Sequence, residues 1–197
     1  MFTKTQAKIM EIFVSKIDDK FSIKEIAEAL GKPYPLIHRS IKGLIEEAFV
    51  TKDKKGFLSI NYKLNYNDLA YIESLRAKKW IKKDKIFALL TKDLLDKINL
   101  DFFVLLIFGS AVENKNPRDI DILLIIENKS IINEVEKLTE NISSNFTKKI
   151  HINVIIIQSV YEMLVKRDSI NVINETLNNH IVLFGAENYY RILKNAR

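Results

Sequence analysis

The sequence contains no cysteine. Disulfides, thiolate metal sites and cysteine nucleophiles are excluded, and the composition fits a reducing compartment. Glycine (5) and proline (3) are scarce, so neither a collagen-like repeat nor a Pro/Gly-rich disordered chain is at hand. No apolar run approaches the ~20 residues a membrane-spanning helix needs. The longest is Phe102–Phe108. A basic stretch followed by an apolar one is missing at the N-terminus, so the expected setting is cytoplasmic with no membrane partner. The three histidines, His38, His151 and His180, are too scattered for zinc-ligand spacing or a serine-histidine triad.

What is present is globular: 47% hydrophobic and 28% charged residues over 197 positions, enough for two small cores. The net charge of +6 is uneven. Residues 1–64 carry 12 Lys/Arg against 8 Asp/Glu, residues 65–100 carry 8 against 5, and residues 101–197 carry 11 against 12. All of the positive excess lies in the first half. A polyanion-binding module joined to a different kind of domain has this distribution, although the base composition of the genome could account for the charge of a lysine- and isoleucine-rich chain.

Local signals divide the first 64 residues into three helices and a hairpin. Thr3-Lys4-Thr5-Gln6 is a capping box ahead of Ile9, Ile12, Phe13 and Ile17 at helical spacing. Ser22-Ile23-Lys24-Glu25 is a second one, stapled by Phe21 and Ile26 and stopped by Gly31, which predicts a helix over about 22–30. A third helix is predicted from Tyr34 or Pro35 to Ala48. Ile37, Ile41, Leu44, Ile45 and Ala48 share one face, and Tyr34, His38, Arg39 and Lys42 the other. Two short helices joined by a turn, the second basic and aromatic on its free face, form a helix-turn-helix pattern suited to the major groove of double-stranded DNA. Phe49–Lys52 and Phe57–Tyr62 read as strands around a tip, Asp53-Lys54-Lys55-Gly56.

From Asn67 to Leu100 neither glycine nor proline occurs, and the helical periodicity breaks near Lys82–Lys85, predicting two connecting helices. Trp80 is expected to pack inward.

The chemistry is concentrated further on. Phe102–Phe108 reads as a buried central strand ending in Gly109-Ser110, followed by an eight-residue polar loop and a second apolar strand, Asp119–Ile126. Side chains alternate on a strand, so Asp119 and Asp121 share a face while Ile120 and Ile122 point to the core. Adjacent carboxylates repel unless a divalent cation lies between them, and their hard oxygens suit Mg²⁺ or Mn²⁺. Gly109 permits close backbone approach to a phosphate, and Ser110 has a hydroxyl to donate. Ile131–Phe146 then reads as a helix and Ile150–Ile157 as a strand; Tyr161–Lys166 and Ile170–Leu177 read as helical. Tyr189 and Tyr190 are expected to pack a terminal helix rather than line a pocket.

The stretch FSIKEIAEALGKPYPLIHRSIKGLIEEAFVTKDKKGFLSI resembles winged-helix regulators, and FGSAVENKNPRDIDILLII resembles the signature of minimal nucleotidyltransferases of the DNA polymerase beta superfamily. The tail NHIVLFGAENYYRILK is similar to that of archaeal proteins joining the two. These resemblances imply an α+β chain: a winged helix-turn-helix over 1–64, a helical connector over 65–100, and a mixed sheet flanked by helices, the nucleotidyltransferase-like domain, over 101–197. They also imply that Tyr34, His38, Arg39, Lys42, Lys54 and Lys55 contact DNA, that Gly109 and Ser110 hold a nucleoside triphosphate, and that Asp119 and Asp121 bind the metal.

The family's third carboxylate falls most naturally on Asn153, which is neutral and cannot act as a base; His151, on the same strand face, is a candidate substitute, although a lone strand histidine is more often structural. The chain also departs from the family in having Ala111-Val112-Glu113 after Gly-Ser, with Lys115 and Arg118 further along. Two functions follow: a DNA-binding protein that transfers a nucleoside monophosphate to a hydroxyl on a protein, nucleic acid or small molecule, or a transcriptional regulator whose second domain senses nucleotide or binds a partner without turnover. A homodimer is left open.

Overall fold

A computed structural model describes residues 2–114, 116–165 and 171–196. It is α+β, with ten α-helices, a two-stranded sheet and a mixed four-stranded sheet among the described residues. None of these helices is long and apolar enough to cross a membrane.

Both predicted capping boxes form. Thr3 Oγ1 accepts from Gln6 N–H and the Gln6 carboxamide accepts in return, opening α1 (Lys4–Ser15). Ser22 and Glu25 do the same for α2 (Ile23–Leu30), and Gly31 closes α2 in the left-handed conformation (φ 59°). Helix α3 spans Tyr34–Glu46 and so stops short of the expected Ala48, whose φ of 58° cannot continue a helix. The Asn61 carboxamide secures that bend by donating to the Ala48 carbonyl at 2.9 Å. Strands β1 (Val50–Lys52) and β2 (Leu58–Ile60) pair antiparallel, and Asp53 Oδ1 closes the tip by accepting from Lys55 and Phe57 N–H.

The connecting helices are α4 (Tyr66–Ile81) and α5 (Lys85–Lys97), with Asp84 capping the second. Trp80 is fully buried, as expected, and stacks on Phe87 with centroids 4.1 Å apart.

Strand β3 (Phe103–Phe108) is buried throughout and central. The sheet order is β5-β4-β3-β6, with β4 spanning Asp119–Ile126, β5 Lys149–Ile156 and β6 His180–Phe184. Pairings are antiparallel between β3 and both β4 and β6, and parallel between β4 and β5. The expected polar loop after Gly109-Ser110 contains a helical turn, α6 (Ser110–Glu113), because Ala111 is an apolar anchor there with no exposure. Helix α7 covers only Ile132–Ser143, preceded by a short 3₁₀ turn, and α8 (Ile157–Val165) starts at the residue expected to end β5. Helix α9 is Val172–Leu177 and α10 Ala186–Ala196; Lys166 and Ile170, expected in helices, lie outside the described residues. Strand β6 had no counterpart in the sequence reading.

One sheet face, bearing Leu105, Ile107, Ile120, Ile122 and Leu124, packs beneath α5 and α7. The other, bearing Val104, Leu106, Leu123, Ile125 and Val182, joins a core that includes α4, α8, α10 and the buried residues of α1–α3. Helix α4 is therefore packed between the N-terminal helices and the sheet. Further bonds tie these parts: Ile17 N–H donates to the Leu177 carbonyl at 3.0 Å, Asp18 N–H to Asn178 Oδ1 at 2.9 Å, and Lys79 pairs with Glu11 at 2.6 Å.

Candidate functional site

At the end of β3 the chain turns sharply at Gly109 (φ 68°, ψ −148°), a conformation that L side chains rarely adopt. The turn sets Ser110 in the open, its side chain exposed. Phe108 is the register partner of Asp121, so the turn lies at the same end of the sheet as the two carboxylates. Asp119 and Asp121 are half-buried on one face, and Ile120 and Ile122 between and beyond them are fully buried on the other, as the period of two requires.

Further along β4, Leu123 and Ile125 are covered by the helices. The acidic end is the part of that face left open. Burial pushes the Asp121 carboxyl above the usual aspartate range; the charge of Asp119 pushes the same way, and His151 opposes them only in part. Among the described residues neither carboxylate is ion-paired.

The parallel register with β5 orders the remaining polar groups. Lys149 stands beside Asp119, His151 beside Asp121, and Asn153 beside Leu123. All three are exposed. Adjacent strands lie about 4.8 Å apart, so His151 is the immediate neighbour of Asp121, and Asn153 stands one pleat further on. Lys149 was missed in the sequence because only pairing, not spacing, brings it to Asp119. No group of three His, Cys, Asp or Glu converges as a ligand set among the described residues.

Compared with family models, curated proteins and solved structures, the chain matches none. Clefts of ≈ 400 Å³ beside Phe184 and Gly185, and of ≈ 520 Å³ between the end of α5 and α7, include none of Gly109, Ser110, Asp119, Asp121, Lys149, His151 and Asn153.

The loop joining α6 to β4 is anchored at Lys148, whose Nζ donates to Asn116 Oδ1 at 3.0 Å and lies 3.8 Å from Asp84. Of the two basic residues further along that loop, Lys115 lies outside the described residues and Arg118 is exposed.

The residues expected to meet DNA lie on α3 and on the β1–β2 tip. Tyr34, His38, Arg39 and Lys42 are exposed along α3, the Tyr34 and His38 rings 6.1 Å apart. Lys54 and Lys55 are exposed at the β1–β2 tip. Lys42 reaches Glu46 at 3.9 Å, an exposed pair of little strength.

Tyr189 and Tyr190 are buried and pack α10, as expected. Tyr190 leads to a group the sequence reading did not find. Its hydroxyl donates to Glu73 Oε1 at 3.0 Å, Arg76 Nη1 donates to Glu73 Oε2 at 2.8 Å, Arg76 Nη2 donates to the His180 carbonyl, and His180 Nε2 lies 3.4 Å from Glu73 Oε1. Burial alone would push Glu73 up. Arg76, His180 and Tyr190 outweigh it and hold the carboxyl below the usual glutamate range. Tyr190 is pushed well above the phenol range by burial and then by Glu73.

Proposed function

We propose that the chain binds duplex DNA through a winged helix-turn-helix formed by residues 1–64, and binds a nucleoside triphosphate at a polymerase-beta-like nucleotidyltransferase site around Asp119 and Asp121, transferring its nucleotidyl group to a hydroxyl acceptor. The observation that carries the second half is the meeting of Gly109, Ser110, Asp119 and Asp121 at one open end of the sheet. Fold likeness by itself does not decide function; these side chains are the argument.

The residues fit a hard divalent cation. Burial and then the neighbouring charge of Asp119 raise the proton affinity of Asp121, a cost that Mg²⁺ or Mn²⁺ relieves. Asp119 and Asp121 would hold the ion, which when bound offsets charge on the triphosphate. Ser110 donates a hydrogen bond to a phosphate oxygen, and Gly109 lets the backbone approach. His151, beside Asp121, accepts the proton of the attacking hydroxyl.

A second reading has its own observation. Asn153 is neutral and no third carboxylate joins the pair among the described residues, which favours a DNA-binding regulator that senses nucleotide without turnover. Incubation with each labelled nucleoside triphosphate and Mg²⁺, with and without cell extract, separates the two: label transferred to an acceptor supports the enzyme, whereas Mg²⁺-dependent binding without transfer supports the sensor. Absence of any Mg²⁺-dependent nucleotide binding refutes both.

A further inference from the structure

The turn after β3 is gripped from outside by three side chains. Trp80 Nε1 donates to the Ala111 carbonyl at 2.8 Å, Lys83 Nζ to the Val112 carbonyl at 3.1 Å, and Asn179 Nδ2 to the Gly109 carbonyl at 3.2 Å. Trp80 and Lys83 belong to α4 and the turn following it, and Asn179 immediately precedes β6. None of them belongs to the strands that carry the carboxylates.

These bonds flank Ser110 on both sides. Gly109 holds a backbone conformation that is sparsely populated, and such conformations persist where the surroundings over-determine them. The four-residue helical turn supplies little of that restraint, since its last carbonyls have no partner inside it. Trp80 takes the Ala111 carbonyl from within the core, where it would otherwise stay unsatisfied at considerable cost. The indole is itself fixed by its near-parallel stack on Phe87, so its N–H direction is set by packing.

We infer that Trp80 and Asn179 are positioning residues for the Gly109–Ser110 turn, holding it at the distance from Asp121 at which it accepts a triphosphate. The inference rests on the reading of this site as a nucleotide site. Neither residue touches the ligand. They act through the carbonyls of Gly109 and Ala111, and Lys83, which is exposed, contributes less.

The test uses the full chain and two ligands, Mg²⁺ alone and ATP with Mg²⁺, followed by calorimetry with thermal melts alongside. Trp80→Phe retains a ring against Phe87 and loses the donor; Asn179→Ala is an independent variant at a half-buried position. Each is expected to weaken ATP·Mg²⁺ binding by up to about 10-fold, the effect of one well-placed hydrogen bond, while Mg²⁺ binding at the carboxylates stays within twofold of wild type. Trp80 is the only tryptophan, so its emission in wild type should shift on saturation with ATP·Mg²⁺. Variants that bind ATP·Mg²⁺ like wild type overturn the inference. So do variants that lose Mg²⁺ and ATP together with a lowered melting temperature, which would mark a merely structural role. A wild type that binds Mg²⁺ but no ATP overturns the nucleotide reading itself, a result distinct from the other two.

Discussion

A Cβ built on Gly109 would stand 3.4 Å from Asp121 Oδ2, so the turn after β3 lies within one side-chain atom's contact of the second carboxylate of β4. Gly109→Ala is expected to destabilise the chain by about 1–3 kcal/mol, because alanine strains the positive φ of 68°. The same substitution should also impair ATP·Mg²⁺ binding. Urea unfolding measures the first effect, and an unchanged midpoint would show that the turn relaxes freely.

That contact illustrates what the sequence makes legible. Asp119 and Asp121 share a face because strand periodicity is local, and the Thr3/Gln6 and Ser22/Glu25 capping boxes are complete within four residues. Strand β6 is different: its five residues become a strand by pairing with β3, which lies more than seventy positions earlier. The Glu73 cluster is hidden for the same reason, since His180 and Tyr190 lie 104 and 117 residues from their partners on α4. Helix α3 ends early because Ala48 adopts a backbone conformation that its side chain does not advertise. Lys149 reaches Asp119 only through the parallel register of β4 and β5.

Arg76 neutralises a carboxylate that no water reaches, since Glu73 is fully buried. Arg76→Met leaves that charge facing Tyr190 and His180. Removing one partner of a buried pair typically costs about 3–5 kcal/mol, and the variant is expected to lose stability on that scale. A double variant, Glu73→Gln with Arg76→Met, should recover much of the loss. If the single variant unfolds at the wild-type urea concentration, the cluster contributes nothing to stability.

Asp121 and Glu73 should act on stability with opposite signs. Glu73 is held below its ordinary range, so its contribution is present above the unfolded value and lost as pH falls through the folded one. Asp121 is raised, so its contribution is present below the unfolded value, about 3.9, and is lost as pH rises through the folded one. At neutral pH, without metal, the Asp121 charge is a net cost. Asp121→Asn is expected to melt higher than wild type at pH 7 in chelator, with the advantage shrinking as pH falls below the ordinary aspartate range. A lower melting temperature for the variant at pH 7 would contradict this.

On the DNA side, the exposed cations of α3 and the hairpin tip should meet phosphates. Each phosphate contact removed lowers the slope of log K against log salt by about 1. Changing Arg39, Lys42, Lys54 and Lys55 to alanine should therefore weaken duplex binding at low salt and flatten its salt dependence. Titrations at several salt concentrations give the slope, and an unchanged slope would place the DNA elsewhere, as would full-strength binding by residues 65–197 alone.

The last prediction concerns which residue of β5 completes the acidic pair. Asn153 is the position at which the polymerase-beta resemblance expects a carboxylate, and restoring one there should raise the transfer rate at least about tenfold if Asn153 faces the reacting atoms, a change of about 1.4 kcal/mol in barrier. The register argues otherwise: Asn153 stands beside Leu123, whereas His151 stands directly beside Asp121. A proton acceptor acts only within hydrogen-bond reach of the proton it removes, directly or through one water, and losing it typically lowers the rate about 10²- to 10⁴-fold. His151→Ala is therefore expected to slow single-turnover transfer on that scale, with ATP·Mg²⁺ affinity little changed, and Asn153→Asp to alter the rate by less than about threefold. His151→Asp should strengthen Mg²⁺ binding by adding a third carboxylate next to Asp121, an effect calorimetry reads without any turnover. If Asn153→Asp accelerates transfer tenfold while His151→Ala leaves it untouched, the proton acceptor belongs one pleat further along β5 than the register indicates.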